Sequence, residues 1–227
     1  MVNKKISLLE FENNPNIGLY LFVNDNFCLL GKEVDDTKKK EIEKILGVPV
    51  YYISILNTEL IGIFIAGNND KLFIPQILDY ELSKLEVIAK KHKTEIIILN
   101  EKINTYGNNM CVGKDEILIS EEYNKNFFDF LKRKSKMNIF KVGTDEYKAT
   151  GALCKFIEGK YFVSQELDEN NFKKIINKIS GTGTINSGSN FISSGVVGNK
   201  NGILLGSLSS TIEIQNIVEA FDSKIKK

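Results

Sequence analysis

The sequence predicts an α/β fold built as a ring: five ββαβ units around a pseudo-fivefold axis, closed by an N-terminal strand. Three observations predict it. Gly18, Gly62, Gly107 and Gly151 recur at spacings of 44, 45 and 44 residues, each placed early in the first strand of a unit. A fixed period in this range is the signature of a repeat architecture. The second observation is that one unit can be read in full over residues 60–99. Ile61, Ile63 and Ile65 alternate with smaller positions, Gly67 to Asp70 is a turn cluster, and Leu72, Phe73 and Ile74 form an apolar run ended by Pro75. Leu82, Leu85, Ile88 and Ala89 then share one helical face, and residues 96–99 are a bare apolar run of strand length. The third observation concerns the ends. No third strand follows the last helix, where only residues 222–227 remain, while residues 6–9 lie one period, 45 residues, before Tyr51. An N-terminal strand that completes the last unit closes the ring, and closure removes open sheet edges.

The elements follow in order. The N-terminal strand spans residues 4–10, and the units span 16–56, 57–100, 104–143, 147–185 and 186–221, as one domain without linkers. Second strands are expected at 27–30, 72–74, 117–119, 161–163 and 203–205. The helices are marked by Ile42/Ile45/Leu46, Leu82/Leu85/Ile88/Ala89, Phe127/Phe130/Leu131, Phe172/Ile175/Ile176/Ile179 and Ile214/Ile217/Val218/Phe221. The last two sets have i, i+3, i+4, i+7 spacing, the pattern of an amphipathic helix. Third strands are expected at 50–55, 96–99, 138–142 and 182–185.

Composition excludes several classes. Hydrophobic content is 42% and charged content 26%, ordinary for a soluble globular protein. No apolar run approaches a membrane span, and the N-terminus has no signal-peptide core, so a cytoplasmic protein is expected. Thirty basic against 29 acidic residues leave a net charge of +1, without the basic excess of a phosphate-gripping protein. Cys28, Cys111 and Cys154 lack metal-ligand spacing and read as small core residues in hairpin strands. No motif asks for a cofactor or a metal.

Catalysis finds little support. His92, the one histidine, sits among Lys90, Lys91 and Lys93 at the end of the second helix, as surface decoration or a C-terminal helix contact. The glycines at 181, 183 and 188 fit neither phosphate-binding pattern and read as a tight strand crossing. Lys132, Arg133, Lys134 and Lys136 suit the C-terminal end of the third helix, with an RNA-facing patch as the other reading. The informative residues are polar and lie at unit junctions: Asn13, Asn14, Asn16, Asn57, Thr58, Asn104, Thr105, Asn108, Asn186, Ser187 and Gly188. In a ring, equivalent junctions gather at one end of the axis, making a flat, polar, nearly uncharged face. The same residue types also favour turns.

With the repeat in place, the chain resembles archaeal translation initiation factor 6. The resemblance is carried by Phe11-Glu12-Asn13-Asn14 with Ile17-Gly18, by Ile61-Gly62 with Gly67-Asn68 and Leu72-Phe73-Ile74-Pro75, and by Tyr106-Gly107-Asn108. Gly181-Thr182-Gly183-Thr184, Asn186, Gly188, Gly202, Gly206 and Ser209-Ser210-Thr211 extend it to the last unit. It covers nearly the whole chain in order. Ala149-Thr150-Gly151-Ala152 departs from the family's Gly-Ser opening of the fourth unit, and Ile63 stands where eukaryotic members carry arginine. The resemblance implies the pentein fold, the five-bladed α/β propeller. It implies a monomer that binds the large ribosomal subunit at its intersubunit face, mainly through a ribosomal protein, with rRNA near the sarcin–ricin loop. The bound factor blocks joining of the small subunit, and a role in ribosome biogenesis accompanies this. The binding face is then expected at Asn13, Asn14, Gly18, Asn57, Gly62, Asn104, Gly107, Asn108, Asn186, Ser187 and Gly188. The alternative is a pentein-fold guanidine-modifying enzyme, hydrolase or amidinotransferase. It needs a late cysteine and an axial histidine, and the last cysteine here is Cys154 in the fourth unit.

Overall fold

The computed structural model describes residues 4–144, 146–167 and 176–221. Five three-stranded sheets repeat one topology, each with its second strand in the middle. The first strands are β2 (Leu21–Val23), β5 (Ala66–Gly67), β8 (Met110–Val112), β11 (Cys154–Ile157) and β14 (Val196–Gly198). They pair antiparallel with β3 (Cys28–Leu30), β6 (Lys71–Pro75), β9 (Glu116–Ile119), β12 (Lys160–Ser164) and β15 (Gly202–Gly206). The third strands run parallel to these: β4 (Val50–Tyr52), β7 (Glu95–Leu99), β10 (Asn138–Lys141) and β13 (Ile179–Gly183). A parallel neighbour needs a crossover, and described helices supply it in units 1, 2 and 3 at Asp36–Leu46, Asp79–His92 and Lys125–Ser135.

The ring closes through the chain's N-terminus. β1 (Lys5–Leu9) pairs parallel with β15, from Lys5 opposite Gly202 to Leu9 opposite Gly206, and so fills the third-strand place of the fifth unit. The helix Thr211–Phe221 covers that unit. The apolar core is divided among five clusters, each between two neighbouring units. Leu9, Val197 and Leu204 of unit 5 pack with Leu21, Leu30 and Ile42 of unit 1. Phe22 and Leu29 of unit 1 then pack with Leu72, Ile74 and Leu85 of unit 2, and so on around the ring. Middle strands bury both faces, which explains their bare apolar sequences.

Four expectations need correction. The glycines at 18, 62, 107 and 151 do not lie in first strands. They sit in single helical turns, Ile17–Leu19, Ile61–Phe64, Tyr106–Asn109 and Thr150–Leu153, just before those strands. A Cβ on Gly62 would overlap the carbonyl oxygen of Gly18, one on Gly107 that of Gly62, and one on Gly151 that of Gly107. The turns are stacked around the axis so closely that only glycine fits. The ring is completed by Ile192–Gly195, whose Ser193 carbonyl lies where a Cβ of Gly18 would fall.

Closure also leaves the sheets open at their edges. First strands of neighbouring units lie side by side around the axis, but they share no ladder and the five sheets stay separate. In the fourth unit the third strand begins at Ile179, three residues before the expected start, with a register shift between Tyr161 and Phe162. Ile179 is therefore a strand residue, and Gly181 and Gly183 lie against the Phe162 ring. Phe172 and Ile175, read as helical, lie outside the described residues. Finally, Phe130 is 39% exposed, so the third helix buries Phe127 and Leu131 but not the third member of its expected set.

Candidate binding face at the unit junctions

Three of the five junctions share one backbone device. Phe11 bridges Asn14, Ile55 bridges Thr58, and Ile185 bridges Ser189. The residues between them are left-handed: Glu12 and Asn13, Leu56 and Asn57, Asn186 and Ser187 all have positive φ, as does Gly188. Asparagine tolerates that conformation better than most residues. Asn13, Asn57 and Asn186 therefore have a turn role whatever else they do.

Two buried carboxylates hold two of these turns. Glu81, 1% exposed, accepts from the backbone N–H groups of Leu56 and Asn57, both at 2.9 Å. Glu213, 5% exposed, accepts from Ser187 N at 3.1 Å, Gly188 N at 2.8 Å and Ser210 N at 2.7 Å, and from Thr184 Oγ1 at 2.8 Å. Burial raises the Glu213 carboxyl, but the hydrogen bonds from Ser210, Gly188 and Thr184 more than offset this, and its pKa lies below the ordinary 4.5. Both glutamates stand at the third helical position, so one carboxylate caps its helix and clamps the junction before it. Ser210-x-x-Glu213 is a capping-box pattern, and this signal could have found it in the sequence. Leu78-x-x-Glu81 lacks the hydroxyl residue and gave no signal. The first unit differs: its helix offers Lys38, whose Nζ donates to the Glu10 carbonyl at 3.0 Å.

The expected face residues separate into groups. Gly18, Gly62 and Gly107 meet at the axis. Asn14 and Asn186 are tied into the fold. Asn14 accepts from Asn16 N at 2.9 Å and donates to Tyr20 Oη at 3.1 Å. Asn186 donates to the Pro15 carbonyl at 3.0 Å, joining the last unit to the first. Asn13, Asn57, Ser187 and Gly188 form exposed tips, and Asn57 Oδ1 also accepts from the Tyr80 hydroxyl. Asn104 and Asn108 are half-buried at a junction without the left-handed turn. The face is not uncharged: Lys32 lies 3.0 Å from both Glu12 and Glu59, bridging the first two junctions. Exposed apolar side chains also flank the clamped turns, Leu78 and Tyr80 in unit 2, Leu208 and Ile212 in unit 5.

The other sequence candidates lie elsewhere. The N–H groups of Ser187 and Gly188 are already taken by Glu213, so the 181–190 stretch has no free cradle for a phosphate. His92 is not decoration. Its ring lies half-buried against Phe27 and Tyr51 of unit 1, with Nε2 3.1 Å from Tyr51 Oη. Burial, aided by Lys91, lowers its pKa. The three cysteines are buried, and burial pushes the Cys111 thiol up to about 12. Such thiols are poor nucleophiles. Among the described residues no cluster of His, Cys, Asp or Glu could hold a metal, and no helix is long and apolar enough to cross a membrane. Lys132, Arg133, Lys134 and Lys136 are exposed at the helix end next to the Asp115–Glu116 hairpin turn, at the opposite end of the axis from the junctions.

Five three-stranded blades in a ring, closed by the N-terminal strand, define a pentein. The family follows from the sequence as a whole. The family model described as eIF-6 matches residues 6–220, and the chain belongs to the eIF-6 family. Translation initiation factor 6 of Sulfolobus acidocaldarius is 30% identical over 97% of this chain and 99% of the relative. The proteins of the same name from Staphylothermus marinus and Nitrosopumilus maritimus are each 28% identical, over 94% and 95% of this chain and 96% and 99% of theirs. Among solved structures, a mutant DDAH from Pseudomonas aeruginosa complexed with citrulline aligns with a TM-score of 0.48 and 12% identity, covering 89% of this chain and 71% of that one.

Proposed function

We propose that this protein binds the large ribosomal subunit at its intersubunit face and, by occupying that face, prevents association with the small subunit. The reading rests on family membership and on the names of its relatives, which are translation initiation factors. The observation that carries the site is the pair of carboxylate-clamped junction turns. Glu81 and Glu213 fix the tips bearing Asn57 and Ser187 before any partner arrives, so little ordering entropy is lost on binding. Contact is mainly with a ribosomal protein, with rRNA near the sarcin–ricin loop, and the same binding serves late subunit maturation. No chemistry is involved: the histidine is engaged by Tyr51 and the thiols are buried.

Sedimentation with isolated subunits tests the reading. Co-migration with large subunits alone, together with loss of joined ribosomes, is the expected result. The double variant Asn57→Glu with Asn108→Glu adds two negative charges to the face without touching Asn14 or Asn186, which the fold needs. Burying an unpaired charge in an interface costs about 2–5 kcal/mol, so binding falls at least about thirtyfold. Full binding by the folded double variant would place the interface on another surface.

A further inference from the structure

The axis is hollow. Behind the hairpin turns lies a mouth of about 520 Å³ whose walls include Val23, Val112 and Phe156. An inner chamber of about 80 Å³ shares those walls and is floored by the glycine turns. Among the described residues one charged side chain lines that chamber, Lys155 of β11. Its place in the hairpin, opposite Phe162, is taken in the other units by Phe22, Ala66, Cys111 and Val197. The repeat therefore puts an apolar or thiol side chain here four times and an amine once.

The Lys155 side chain makes no hydrogen bond or ion pair with any described residue. Burial lowers its pKa, and the group that bears on it is the Cys111 thiol. Lys155 is half-buried, and an ammonium facing a narrow chamber without a partner is costly. It must give up its proton or gain a counter-ion, and the chamber has room for one: a water's share of liquid volume is about 30 Å³. Cys111 and Cys154 also line this space, and a thiol is a weak donor. At the mouth, Glu158 is paired with Lys4 at 2.7 Å and Asp25 accepts from Lys200 N at 2.9 Å, so the rim carboxylates are partly neutralised beside Lys114 and Asp70.

We propose that the inner axial chamber is a binding site for one small monovalent anion, of chloride to formate size, held by the Lys155 ammonium. The chamber is too small for a nucleotide or a sugar phosphate. The bound anion neutralises the one charged side chain that lines the chamber among the described residues and supports the floor of the junction face from behind.

Bromide is the probe. Melting of the full chain is followed as bromide replaces a bulky sulfonate at constant ionic strength, and crystals grown in bromide are examined for anomalous scattering. The expected results are a saturable rise of about 3–6 °C at ten times the dissociation constant, absent in Lys155→Met, and an anomalous peak in the chamber within contact distance of Lys155 Nζ. Equal rises in both proteins would mean a general salt effect and overturn the proposal. So would wild-type crystals with bromide only at the surface, whether or not the variant folds.

Discussion

Neighbouring units are fastened in two different ways at the hairpin end of the axis. Units 5, 1, 2 and 3 are joined by a relay of asparagines. Asn199 donates to the Asn24 carbonyl at 3.1 Å, Asn24 to that of Asn68 at 3.1 Å, and Asn68 to that of Gly113 at 2.7 Å. Each side-chain oxygen meanwhile accepts two N–H groups of its own turn. The relay stops at Gly113, which has no side chain to pass it on. Between units 3 and 4 a carboxylate takes over. Glu116, 2% exposed, accepts from the Tyr161 hydroxyl at 2.9 Å and pairs with Lys178. A Cβ on residue 113 would overlap the Tyr161 hydroxyl, so the same glycine that ends one device makes room for the other. A repeated fold thus tolerates unlike fasteners, provided that each satisfies its buried polar groups.

The sharpest way to break this comparison is at Glu116. Glu116→Ala leaves the buried Tyr161 hydroxyl without its partner. Lys178, 41% exposed, is freed to water and softens the loss. The expected destabilisation is about 2–4 kcal/mol, read from the urea midpoint at unchanged slope. A loss under about 1 kcal/mol would show that packing alone holds units 3 and 4 together.

The relay predicts a smaller and repeated effect. Asn24→Ala removes two turn hydrogen bonds and one between units, for a loss of about 2 kcal/mol. Asn68→Ala should match it, because its bonds are the same. Asn24→Asp keeps the turn acceptor and loses only the inter-unit donor, so it should cost about half as much. Equal losses for Asp and Ala at this position would place the whole contribution in the inter-unit bond.

How much of this could be read beforehand depends on how local each signal was. Strand and helix patterns are local, so the five units and the closing strand at residues 6–9 stood out. The axial turns did not, because Ile61-Gly62-Ile63-Phe64 is too short for an apolar pattern to separate a helical turn from a strand. The glycines were visible and their reason was not, since Gly62, Gly107 and Gly151 are each required by a carbonyl about one repeat away and Gly18 by that of Ser193 at the far end of the chain. Asn68 reads as a turn residue, which it is, and Asn24 and Asn199 hold the equivalent turns, while the second role of Asn24, Asn68 and Asn199 spans 44, 45 and 175 residues. At the junction face the asparagines were legible; Glu213 carries a signal only through its capping box, and Glu81 carries none, because a buried acid in a helix without a hydroxyl at its cap looks like a surface one until its N–H partners are known.

The smallest expected effect separates neutral from charged fasteners by pH. The asparagine relay carries no ionisable group, whereas the junction turn of unit 5 depends on the Glu213 carboxylate. The folded pKa of Glu213 lies below its unfolded value. Its contribution to stability is therefore fully present above the unfolded pKa and is lost as pH falls through the folded one, below about 4.5. In Glu213→Gln the acidic-side decline in stability should be shallower than in the wild type, with the curves parallel above about pH 6. The variant amide has one oxygen, which can serve Ser187 and Ser210 or Gly188 and Thr184 but not both pairs, so it should fold and melt somewhat lower at neutral pH. Asn24→Ala, by contrast, should shift the whole curve down without changing its slope. If Glu213→Gln keeps the wild-type acid slope, the turn is held by its backbone geometry, and the carboxylate only caps its helix.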